Sequence, residues 1–140
     1  MLTRLTHAPV WVTDQDEALA FYTDKLGLEL RQDVSLPELG GFRWLTVGAP
    51  GQEDVAITLL SVPGPPVFDE ATKALVEEVL AKGASPGLIF GTDDVRATYE
   101  ELKAKGVEFT KEPTTMRPGV RVCFIRGPEG VSIELLDRNV

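Results

Sequence analysis

The sequence predicts an α+β fold of two βαβββ modules, and three observations carry that prediction. First, the second half restates the plan of the first about 79 positions later. Thr13-Asp14, Ala18, Gly27-Leu28-Glu29 and Pro50-Gly51 are answered by Thr92-Asp93, Ala97, Gly106-Val107-Glu108 and Pro128-Glu129-Gly130. Second, each half passes from a strand-like run to a helical stripe opened by aspartate. Third, each helix stops at a glycine and gives way to a run of strands. The period is too long for a solenoid. The reading is one duplicated domain over 1–140 with a cavity between its halves. Module 1 covers about 4–62, a linker with its own helix 63–85, and module 2 about 86–138.

In the first module, residues 4–13 alternate, with His7, Pro9, Trp11 and Thr13 on one side and Ala8, Val10 and Val12 on the other. A period of two marks a strand with an apolar back and a mixed front. Thr13 or Asp14 supplies an N-cap, and Asp16 and Glu17 suit the positive end of the helix dipole. Ala18, Phe21, Tyr22 and Leu26 form the apolar stripe of a helix over 14–26, which Gly27 terminates. Strands are predicted at 28–35, 42–49 and 54–62, with turns at Gly40-Gly41 and Pro50-Gly51.

Pro63-Gly64-Pro65-Pro66 breaks the pattern, and Ala71, Leu75, Val79 and Leu80 then give a helix over 69–82 ending at Gly83. This helix has no counterpart in the first half and is read as an insertion between modules. Leu88, Ile89 and Phe90 make a short buried strand. Asp93 or Asp94 opens a helix with Val95, Tyr99 and Leu102 inward, closed by Gly106. Strands at 107–112, 119–126 and 131–137 complete the module.

Composition excludes several classes of function. The net charge of -8 opposes wholesale nucleic-acid binding, because phosphate attracts an excess of Lys and Arg. With 43% hydrophobic and 26% charged residues the chain has ordinary globular composition. No apolar run approaches the roughly 20 residues that span a bilayer, so no membrane partner is expected. Cys123 is the single cysteine, which forbids an internal disulfide and suits a reducing compartment. No targeting segment is visible, and a cytoplasmic location is the expectation.

Three stretches resemble the vicinal oxygen chelate superfamily, which includes glyoxalase I, extradiol dioxygenases and bleomycin-binding proteins. They are His7 followed seven residues later by Asp14, then Phe21-Tyr22-Thr23-Asp24-Lys25-Leu26-Gly27-Leu28, and the ending Gly127-Pro128-Glu129-Gly130-Val131-Ser132-Ile133-Glu134-Leu135-Leu136. The resemblance implies that each module curls into a cup of mixed β-sheet, with a small-molecule ligand or substrate held inside. It also implies a homodimer, to which exposed strand edges would contribute.

In metal-bearing relatives four strand positions carry ligands. Carried over, the first falls on His7, the second on Thr58, the third on Gly87-Leu88 and the last on Glu134. Neither Gly87 nor Leu88 offers a donor. A catalytic divalent site ordinarily uses three protein ligands, and this chain has one histidine. His7 and Glu134 are thus an incomplete metal set, and no tightly held divalent ion is expected.

Two functions remain in view. The favoured one is a glyoxalase/bleomycin-resistance-like protein that binds a small molecule through Trp11, Trp44, Thr58 and Arg121. The alternative is a lyase or dioxygenase in which His7 and Glu134 are catalytic, with a metal ion or as an acid–base pair. Cys123, between Val122 and Phe124, reads as a small core residue.

Overall fold

Aspartate starts the first helix. Asp14 stands in extended backbone, and its carboxylate accepts from the Glu17 N–H at 2.9 Å. That contact satisfies one of the four N–H groups a helix start leaves unpaired. Asp94 does the same in the second half, accepting from Arg96 and Ala97 at 2.9 and 3.1 Å. Gly27 and Gly106 end the two helical segments at φ of 76° and 84°, backbone that side chains rarely adopt. The repeat is therefore written in the caps.

The computed structural model describes residues 1–138 and divides the chain into two units, Met1–Glu78 and Val79–Val140. The first unit holds β1 (His7–Val12), α1 (Gln15–Ala20), β2 (Glu29–Leu36), β3 (Phe42–Gly48) and β4 (Ala56–Ser61). Its sheet runs in the order β1-β4-β3-β2, with β1 parallel to β4 and the other pairs antiparallel. After α2 (Glu70–Ala81), the second unit carries β5 (Ile89–Gly91), α3 (Val95–Ala104), β6 (Phe109–Arg117), β7 (Val120–Arg126) and β8 (Ser132–Arg138). Its sheet order β5-β8-β7-β6 repeats the first, again with one parallel pair. The α+β class and the βαβββ order are those the sequence predicts.

In unit 1 one sheet face is core. Leu45, Val47 and Leu59 are wholly buried, as is Ala18 of α1. The Gln15 side chain ties α1 to the sheet by donating to the Leu59 carbonyl at 2.9 Å. In unit 2, Ile133, Leu135, Cys123 and Ile125 form the matching buried face, with Val95 and Leu102 of α3 buried as well.

Two details differ from the sequence reading. The first helix is not uniform over 14–26: α1 ends at Ala20 and a π-helical turn, Phe21–Lys25, follows. There the Leu26 N–H reaches back five residues to the Phe21 carbonyl, and the Thr23 hydroxyl donates to the Leu19 carbonyl at 2.7 Å. The strand at Leu88-Ile89-Phe90 is not buried, since Ile89 is exposed on an edge strand. In α2, Leu80 is buried whereas Leu75 and Val79 of the same stripe are exposed. No helix among the described residues is long and apolar enough to cross a membrane.

Candidate functional site

Alternation along the strands sends every second side chain of the first sheet away from α1. Register then decides which of them meet. Pro9 stands opposite Thr58, Thr58 opposite Thr46, and Thr46 opposite Gln32. His7 and Trp11 flank Pro9 on the same face of β1, and Trp44 precedes Thr46 on that face of β3. One surface thus carries His7, Trp11, Gln32, Trp44, Thr46 and Thr58.

The aromatic groups on this surface pair. The His7 and Trp44 rings lie 5.2 Å apart, tilted by 58°. Trp11 meets Phe68, from the stretch before α2, edge to face at 5.7 Å. The Trp44 indole N–H donates to Gln32 Oε1 at 2.8 Å, and His7 Nδ1 lies 3.0 Å from the Thr6 hydroxyl. Trp11 keeps 39% of its surface exposed. A cavity of about 330 Å³ opens beside His7, with Gln32, Thr46 and Ala56 also lining it; Trp11, Trp44 and Thr58 share its sheet face but are not among its lining residues.

Thr58 is buried, on the same face as His7. Its counterpart in unit 2 is Glu134, because Phe124 faces Glu134 there as Thr46 faces Thr58 here. Glu134 is half-buried, and no hydrogen bond or ion pair of its carboxylate is found among the described residues.

Arg121 lies on the opposite face of β7 from the side that Phe124 shares with Glu134. Its guanidinium donates to Asp137 at 3.1 and 2.8 Å, and Asp137 also accepts from the Val95 N–H at 2.6 Å. The Arg121 hydrogen bonds hold the Asp137 carboxyl below the usual carboxylate range, burial opposes them, and the Val95 N–H adds to them. Arg121 is therefore committed to anchoring the start of α3. Arg43, its counterpart, is likewise engaged, by Asp33 and Asp16.

The donors do not fit a three-ligand cation site. Among the described residues no group of three or more His, Cys, Asp or Glu side chains could hold a metal ion. Position 87 shows why a second imidazole cannot be supplied there. A Cβ on Gly87 would stand 1.6 Å from the Ser132 carbonyl oxygen, so this backbone admits no side chain. Cys123 is fully buried, and burial, followed by the charge of Asp137, pushes its thiol up to about 11.

Sequence reasoning passed over Gln32 and Thr46. The alternation of Trp44-Leu45-Thr46 carried the signal for Thr46, but Gln32 joins the site only through pairing with β3.

A family model described as "Glyoxalase/Bleomycin resistance protein/Dioxygenase superfamily" matches residues 4–135. Among solved structures, UcmS2 superposes with a TM-score of 0.86 at 40% identity, covering 97% of this chain and 98% of that one. TnmS3, an antibiotic binding protein from Streptomyces sp. CB03234, gives 0.74 at 27% identity, covering 98% and 97%. A probable lactoylglutathione lyase of Synechocystis sp. is 30% identical over 137 residues, 96% of this chain and 95% of that protein.

Proposed function

The chain belongs to the Glyoxalase/Bleomycin resistance protein/Dioxygenase superfamily, and from that premise we propose that it binds a small aromatic molecule rather than transforming one. The observation that carries this reading is the His7–Trp44 ring pair beside a cavity of about 330 Å³. Stacked or edge-on aromatic contacts give a planar ligand both area and orientation. Trp11 extends the aromatic surface along β1, and Thr58 supplies a hydroxyl on the same face. The likeness to an antibiotic binding protein supports the reading, as does a donor set too small for a catalytic metal. In this proposal the working unit is a cytoplasmic homodimer, with residues 1–140 acting as one domain.

The test uses the protein's two tryptophans as reporters. Titration with a panel of aromatic antibiotics, bleomycin included, should give saturable quenching of their fluorescence. Trp44→Phe and Trp11→Phe should each weaken the affinity about ten-fold. A panel without any saturable response sinks the proposal.

Likeness to a probable lactoylglutathione lyase favours a second reading, in which His7 and Glu134 are catalytic. Formation of lactoylglutathione from methylglyoxal and glutathione in the presence of added Ni or Zn, lost in both His7→Ala and Glu134→Ala, would install it in place of the first.

A further inference from the structure

The first module also bears on which ligand its cavity takes. Thr46 is 1% exposed, and its hydroxyl oxygen has no hydrogen-bond partner among the described residues. A buried hydroxyl without a partner is costly, and such groups in native proteins call for an explanation. Thr46 is one of the residues lining the cavity.

Gln32, exposed and directly opposite on β2, offers a second polar group. An indole N–H only donates, so the 2.8 Å contact with Trp44 fixes the Gln32 amide with Oε1 toward the indole. Its Nε2 group is left as the available end, a donor, and no acceptor for it is found among the described residues. Cross-strand partners stand with Cβ atoms about 5 Å apart, close enough for both groups to converge on one atom. A hydroxyl beside an amide N–H₂ asks for an acceptor oxygen.

Charge decides what kind of oxygen. Arg4 and Arg31 line the cavity together with Glu53 and Asp54, so the formal charges cancel. Arg31 is moreover paired with Glu53 and donates to the Ala49 carbonyl at 2.8 Å. The lining therefore carries no net positive charge to favour a carboxylate.

We infer that the cavity selects neutral aromatic ligands bearing a carbonyl oxygen, with the Thr46 hydroxyl and the Gln32 amide reading that oxygen while the ring packs beside His7, itself backed by Trp44. The inference rests on the small-molecule reading above and narrows it to one chemical class.

A matched set of probes tests it: fluorenone, fluorene, which lacks the oxygen, and fluorene-9-carboxylate, which is anionic. Calorimetric titration of the wild-type protein should show fluorenone binding about ten-fold more tightly than either of the others, the worth of one good hydrogen bond. Thr46→Val keeps the shape of the side chain and should bring fluorenone and fluorene within about two-fold. Gln32→Met should narrow the gap in the same direction, which guards against a folding defect in the first variant. Equal binding of fluorenone and fluorene, a preserved preference in Thr46→Val, or tighter binding of the carboxylate each overturns the inference while leaving aromatic binding intact. Binding of none of the three overturns both.

Discussion

The Trp44 indole donates to the Gln32 side chain from β3 to its neighbour β2 at 2.8 Å, and this contact holds the aromatic wall of the site in place. Trp44 also touches the His7 ring, so one indole links three strands' contributions to a single surface: β2, β3 and, through His7, β1. Replacing Gln32 by Met should remove the bond and retain bulk. The tryptophan emission should shift to the red, and stability should fall by about 0.5–1 kcal/mol, the net value of an ordinary hydrogen bond. Unchanged emission would mean that Trp44 is held by packing alone.

Thr46→Val should stabilise the protein. The buried hydroxyl has no partner among the described residues, and a methyl group of similar size removes that penalty. The urea midpoint should rise by the equivalent of about 1 kcal/mol. A lower midpoint would show that the hydroxyl has a partner in solution.

Gly87→Ala should prevent folding or cost more than about 4 kcal/mol. Its Cβ would overlap the Ser132 carbonyl oxygen at 1.6 Å, and backbone paired in a sheet cannot step aside as a side chain can. Circular dichroism of the purified variant checks this; a fold as stable as the wild type would contradict it.

Asp137 should make stability depend on acid pH. Its carboxyl titrates below the ordinary range when folded, chiefly through Arg121, so ionisation favours the folded state. That contribution is complete above the unfolded value, near about 3.9, and is lost as pH falls toward the lower folded value. Asp137→Asn should melt about 5 °C lower at neutral pH, with the gap closing below about pH 4. A gap as wide at pH 3 as at neutral pH would show that charge is not the source.

Cys123 should resist thiol reagents in the folded protein. With its thiol pushed up to about 11, only about one part in a thousand is thiolate at pH 8, and the side chain is buried. Reaction with a disulfide reagent should await denaturant. Rapid labelling of native protein would refute the core assignment.

Much of the fold is legible because its signals are local. Asp14 and Asp94 cap helices from within four residues, and Gly27 and Gly106 stop them at positive φ. The π-helical turn after Ala20 escaped, since Phe21, Tyr22 and Leu26 keep a stripe that fits either winding. Ile89 escaped because an apolar triplet looks the same on an edge strand as in a core.

The sequence by itself determined the duplication, the caps and the shared face of His7 and Trp11, since a period of two requires only neighbouring residues. It also determined the shortage of imidazoles, which is a matter of counting. Only the tertiary structure decided that Gln32, Thr46 and Thr58 stand in one row across three strands, and that Arg121 is spent on Asp137. Register joins residues from separate stretches of the chain, and whether a hydroxyl is left without a partner depends on everything packed around it. No local pattern encodes either.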